Sequence, residues 1–277
     1  MQLGIFAKTF ARANFEDTFD AVKGLGVDCL QFNLLCAGLP TLPKAIDPVL
    51  VQRIRSELTR RSLSMAAISG TCNLIHPDKK ERAKEIAKLQ GVIRCCRELG
   101  TSVVTLCTGT RDAEDMWRPH PENHSVQAWR DLVKSLEQLL PMAQENKIVL
   151  GIEPEPANVI DSAPRARILI EQLNSPWLKI IFDAANLLQP HTLDFQQKIL
   201  SEAMDFLGPD IAIAHAKDLT RDPGTKHVAA GRGALDYGLY LSLLQQAGFG
   251  GPLILHSLRE DEAATAVNFI RDRLGQR

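Results

Sequence analysis

The sequence predicts a single (β/α)8 barrel, on three observations. Short apolar, β-branched runs alternate strictly with longer segments of helical period. The alternation repeats eight times within 277 residues. No Gly-x-Gly-x-x-Gly follows the first strand, which argues against an open dinucleotide-binding sheet. Strict β-then-α order implies parallel strands covered by helices, and right-handed crossovers leave a doubly wound sheet or a closed barrel. Eight units in a chain of about 250 residues favour the barrel. No Pro/Gly/Ser-rich linker interrupts the pattern, so residues 1–277 read as one domain.

The strands are expected at 3–7, 27–32, 64–69, 103–107, 148–153, 178–183, 211–215 and 253–256. The first helix, 15–24, ends on a glycine stop signal. The second, 48–61, opens with Pro48 in its first turn after Asp47 as cap. The third, 79–99, is long, charged on one side, and stops before Gly100. Helices at 126–145, 163–173, 195–207, 237–247 and 261–274 complete the set.

Composition narrows the function classes. The charged fraction is 23% and the formal net charge is −1, which offers neither nucleic acid nor an anionic membrane a reason to bind. No run approaches the roughly 18 apolar residues of a membrane span, and no basic, then apolar leader precedes the first strand. The six cysteines form no CxxC pair and no disulfide framework, so they read as reduced thiols of a cytoplasmic protein. The oligomeric state stays open, a homo-oligomer included.

In such a barrel, reactive residues belong at the C-terminal ends of the strands and in the loops that follow. Four consecutive strands close on ionisable side chains. The fifth ends Gly151-Ile152-Glu153 before Pro154, the sixth Ile181-Phe182-Asp183, the seventh Ile213-Ala214-His215 and the eighth Ile254-Leu255-His256. One such residue can simply cap the next helix. Four on adjacent strands converge on one side of the barrel mouth, where bare like charges repel and a divalent cation resolves the conflict. Two carboxylates with imidazoles suit Mn²⁺, Zn²⁺, Co²⁺ or Fe²⁺, whereas Mg²⁺ prefers an oxygen-only set. One divalent metal ion is therefore expected at Glu153, Asp183 and His215, with His256 as the fourth ligand, a base beside the metal or a packing residue at the strand end.

The segments GIEPEPANVIDS (151–162), IFDAANLL (181–188), AHAKDL (214–219), AAGRGALDY (229–237) and GPLILHSL (251–258) resemble the xylose isomerase-like superfamily. SGTCNLIHPD (69–78) is similar to the substrate loop of its sugar phosphate isomerase/epimerase members. The superfamily includes sugar isomerases, ketose 3-epimerases, inosose dehydratases and AP endonucleases, and the resemblance spans almost the whole chain. It implies that Glu153, Asp183 and His215 match three of the four metal ligands of the epimerase-type enzymes. The fourth ligand there is a Glu that also completes a two-glutamate acid–base pair, and His256 stands in its place. The nuclease branch would need further ligands. Asn186 replaces a His after the sixth strand, Thr108-Gly109 replaces one after the fourth, and Lys226-His227 lacks the Asp of a DRH-like stretch.

Polar residues in the remaining strand-end loops supply candidates for a carbohydrate ligand: Asn73, His76, Glu155, Asn158, Asn186, Lys217, His227 and Arg232. Asn73 and Asn158 are also ordinary turn residues. Gly231-Arg232-Gly233 has the form of a phosphate nest and equally that of a turn before a helix. The expected reaction is proton abstraction beside a carbonyl through a metal-stabilised enediolate. Glu153 acts as base and His256 returns the proton, giving a sugar isomer or epimer. An inosose-dehydratase-like lyase, or a sugar-binding barrel without catalysis, are the competing expectations.

Overall fold

The computed structural model describes residues 1–222, 224 and 227–275. Eight parallel strands close on themselves: β1 (Gln2–Phe6), β2 (Cys29–Phe32), β3 (Ser64–Ser69), β4 (Val103–Cys107), β5 (Val149–Glu153), β6 (Leu178–Asp183), β7 (Ile211–Asp218) and β9 (Pro252–Leu255). Each pairs with its neighbours, β6 with β7 and β1 with β9, so the ring has no free edge. Eight helices cover it: α1 (Phe15–Gly24), α2 (Pro48–Arg60), α3 (Lys79–Leu99), α4 (Val126–Asn146), α5 (Ala163–Leu173), α6 (Gln196–Leu207), α7 (Tyr237–Gln246) and α8 (Glu260–Leu274). The expected barrel is the observed one.

Local chemistry explains the boundaries. Asn14, Asp47, Asp78, Ser125 and Asp236 each accept a backbone N–H at the start of their helix. Gly100 ends α3 in the left-handed conformation, at φ 101°. Two differences from the sequence reading share one cause. β7 runs on past His215 to Asp218, and a two-residue strand β8 (Val228–Ala229) pairs with Lys217 and Asp218 antiparallel. That pairing is made by the loop folding back on the strand, and nothing in the local pattern of either segment announces it.

The barrel interior decides where the chemistry sits. Cys29, Ala67, Ile181, Ile213 and Ile254 form a buried cluster inside the ring, with Val103 packed against it. Gly4 and Gly151 belong to the same layer, because a Cβ at Gly4 would run into Cys29 and Ile254, and one at Gly151 into Ile181. Side chains alternate between the two faces of a strand. The residue two positions further on therefore also points inward, one layer nearer the C-terminal mouth. That step carries Gly4 to Phe6, Cys29 to Gln31, Ala67 to Ser69, Val103 to Thr105, Gly151 to Glu153, Ile181 to Asp183, Ile213 to His215 and Ile254 to His256. Between β6 and β7 the register shifts by one residue at Ile180/Ile181, after which Asp183 stands opposite His215 on the same rung.

Candidate metal centre and active site

The mouth layer encloses a cavity of about 420 Å³ lined by Phe6, Gln31, Ser69, Thr105, Glu153, His215 and His256, among others. That size falls within the roughly 300–1,000 Å³ of small-molecule sites. Glu153, Asp183, His215 and His256 each direct one ligand atom into a cluster whose atoms lie within 4.8 Å of one another. His215 Nδ1 is 3.3 Å from Glu153 Oε1 and 3.6 Å from Asp183 Oδ2. His256 Nε2 is 3.1 Å from Asp183 Oδ2, and the two imidazole rings meet edge-on at 4.5 Å.

Gln31 fixes which nitrogen of His215 faces this cluster. Its amide Nε2 lies 3.4 Å from both Ser69 Oγ and Thr105 Oγ1 and its Oε1 lies 3.0 Å from His215 Nε2, so with the amide this way round His215 Nε2–H donates to it. Nδ1 is then left as a lone pair aimed at two carboxylates. That arrangement is repulsive unless a cation stands between them. A second proton on the ring can serve, and although burial opposes it, the charges of Glu153 and Asp183 raise the imidazole to about 9. A divalent ion serves better, since all four donors are then used as donors, with an amide behind one imidazole in the usual supporting role. The residues present fit a divalent metal.

Lys217 completes the charge pattern. Its ammonium lies 3.2 Å from Asp183 Oδ2 and is 3% exposed. Burial opposes that charge, but Asp183, Glu153 and Glu155 outweigh it and hold the lysine above its ordinary value. Asp183 is driven well below the carboxylate range although burial opposes this, with Lys217 as the main opposing cause. Glu153 is lowered in the same way by His215 and Lys217. His256 is lowered by burial and by the charge of His215. Glu155, which lines the cavity, is pushed up to about 8 by burial and then by Glu153.

The other candidates separate into those near the cluster and those that hold loops. Asn186 donates to Glu153 Oε1 at 3.0 Å and to the Pro154 carbonyl at 3.1 Å, so it orients the glutamate from behind. His227 is half-buried near Lys217, and burial followed by that ammonium lowers it to about 4. Lys226 lies outside the described residues. Asn73 bridges the carbonyl and N–H of Thr110, and Asn158 accepts the N–H of Gly109 at 2.7 Å, so both tie strand-end loops together. His76 Nε2 meets the Ala113 carbonyl at 3.1 Å, and His76, like Asn73 and Asn158, is absent from the cavity lining. Arg232 is exposed on the surface. The nest-like turn around it is already filled. Asp218 accepts the N–H groups of Leu219, Gly231, Gly233 and Leu235, leaving no vacancy there for a phosphate.

Gln31, Ser69 and Thr105 line the cavity, and the sequence reading passes over them. Their signal is an uncharged polar residue inside an apolar strand, near its C-terminal end.

The model of the xylose isomerase-like TIM barrel family matches residues 19–273. The chain belongs to this family. Among curated xylose isomerase-like relatives, L-ribulose-5-phosphate 3-epimerase UlaE of Shigella flexneri serotype 5b (strain 8401) is 24% identical over 197 residues. The match covers 70% of this chain and 64% of the relative, less than two thirds of its length. Among solved structures of the fold, the IolI protein with a bound zinc atom superposes with a TM-score of 0.76 at 16% identity, covering 100% of this chain and 99% of that one. D-psicose 3-epimerase, crystallised in the presence of D-fructose, superposes with a TM-score of 0.76 at 15% identity, covering 99% and 100%.

Proposed function

We propose that this xylose isomerase-like chain is a divalent-metal-dependent sugar isomerase or epimerase that moves a proton on the carbon beside a carbonyl. The observation that carries the reading is the convergence of Glu153, Asp183, His215 and His256 at the edge of a sugar-sized cavity. The named activities of the relatives, ketose 3-epimerases, support the substrate class, and the zinc atom of the IolI structure supports the metal. Glu153, Asp183, His215 and His256 would hold the ion, with Mn²⁺, Zn²⁺, Co²⁺ or Fe²⁺ suited to that donor set. When bound, such an ion supplies Lewis-acid stabilisation of the charge that develops on the substrate carbonyl.

The chain's own residues do the rest. Glu153 and His256 both line the cavity and form the pair that removes and returns the carbon-bound proton. Asn186 holds the Glu153 carboxylate, and Lys217 holds Asp183. Cytoplasmic residence goes with this reading, since all six cysteines are free thiols. No helix among the described residues is long and apolar enough to cross a membrane.

The test is exchange in D2O. The Mn²⁺-loaded protein, incubated with a panel of ketoses, ketose phosphates and inososes, is expected to incorporate deuterium beside the carbonyl. Chelation should stop it and Mn²⁺ restore it. Glu153→Gln should slow exchange by about 10²–10⁴-fold while the fold persists by circular dichroism. An ultraviolet-absorbing enone would convert the assignment to a dehydratase. Sugar binding without any exchange would replace it with a non-catalytic barrel.

A further inference from the structure

The cavity has a second polar side of opposite character. Asn33 follows β2, lines the cavity and is 3% exposed. Its Oδ1 accepts the Leu35 N–H at 3.0 Å and the Thr41 hydroxyl at 3.2 Å. Those bonds settle which way round the amide lies, and its Nδ2 has no acceptor among the described residues. That donor opens to the cavity, where it is free to meet a ligand. Lys8, in the turn after β1, lines the same cavity, with its ammonium 5.9 Å from the Phe6 ring centroid. No carboxylate lies within ion-pair distance of it among the described residues. The turns that carry Lys8 and Asn33 pack against each other.

Strand order places this pair with respect to the metal cluster. In a ring of eight, β1 and β2 stand across the barrel from β5 and β6, which bear Glu153 and Asp183. The far side of the cavity therefore offers the Glu153 carboxylate, and the near side offers an ammonium and an amide N–H beside the neutral side chains of Gln31 and Thr41. A ligand whose carbonyl end reacts at the cluster reaches across the mouth with its far end against Lys8 and Asn33. Charge-assisted donors of this kind select an anion.

We propose that the substrate carries a terminal anionic group, phosphate or carboxylate, bound by Lys8 and Asn33. This rests on the proposed reading only for which end of the substrate reacts. The probes are glycerol 3-phosphate, glycerate and glycerol, titrated calorimetrically into the Mn²⁺-loaded protein. At least one anion should bind about tenfold or more tightly than glycerol. Lys8→Met should remove that preference, Lys8→Arg should keep most of it, and Asn33→Asp should weaken the anion without weakening glycerol. Whichever anion loses affinity in Lys8→Met identifies the group. Lys8 is exposed, so its variants test binding rather than folding. Equal binding of glycerol and both anions overturns the proposal, as does no measurable binding of either anion. A preference unchanged in Lys8→Met also overturns it, since the anion is then held by the metal. Ketose exchange is a separate readout. Exchange that ignores the anionic group and Lys8 removes this subsite and leaves the isomerase reading standing. An anion preference that depends on Lys8, in a protein that exchanges no ketose, does the reverse.

Discussion

At the scale of residues, the most consequential contact at the mouth is the one between His215 and Gln31, because it turns the other imidazole nitrogen toward Glu153 and Asp183. Gln31→Leu keeps the volume and removes the acceptor. Manganese affinity, measured by calorimetry, is expected to fall about 10–100-fold with the circular dichroism spectrum unchanged. An unaltered affinity would mean that the ring is oriented by its carboxylate neighbours alone. The strand-terminal Glu153, Asp183, His215 and His256 are legible in the sequence because charge at the end of an apolar run is conspicuous. Gln31, Ser69 and Thr105 are not. Strands covered on both faces are apolar on both, so the pattern does not say which residues point into the barrel. Only the packing of Cys29, Ala67 and Val103 tells which set of positions faces inward.

At the scale of elements, two loops at the mouth are locked to each other and to α3 and α4 by a charged triad. Asp131 on α4 meets Arg111 of the β4 loop at 2.6 Å and Arg82 of α3 at 3.3 Å, and all three are nearly buried. The arginines in turn donate to the carbonyls of Ile75 and His76 in the loop after β3. Asp131→Ala leaves two buried cations unpaired and is expected to cost about 3 kcal/mol in urea unfolding. Burial opposes the Asp131 charge, but Arg111 and Arg82 outweigh it and hold the carboxyl below its ordinary value. Its folded-state pKa is thus depressed. The stability it contributes is present above the unfolded carboxylate pKa of about 4 and is lost as pH falls through the folded value. The stability gap between wild type and Asp131→Asn should therefore narrow on acidification. Asn73 and Asn158 illustrate why such loops resist sequence reading. Asn73 bonds Thr110, 37 positions away, and Asn158 bonds Gly109, 49 positions away. Spacing along the chain carries no trace of either.

At the scale of the whole molecule, the eight-fold alternation of strand and helix was fully legible, and closure followed from the count. What the alternation did not contain is β8, which exists only because the loop returns to β7. A metal that binds the folded barrel and not the unfolded chain adds to global stability. At one hundred times its dissociation constant the gain is about 2.7 kcal/mol, or about 5 °C for a domain of this size. Melting with Mn²⁺ and with chelator should differ by that order in wild type, and by nothing resolvable in Asp183→Asn.

The register shift between β6 and β7 acts as a phase correction. The lower rungs of the two strands run one residue out of step with the upper ones, and the shift at Ile180/Ile181 brings Asp183 and His215 abreast. Without it, Asp183 would face Ala214, and the mouth would lose a donor while the shell stayed closed. Substitutions within the barrel wall are therefore tolerated so long as the phase is kept, whereas a single insertion in the upper half of either strand is not. A fold built this way can drift to 16% identity and still superpose over its whole length.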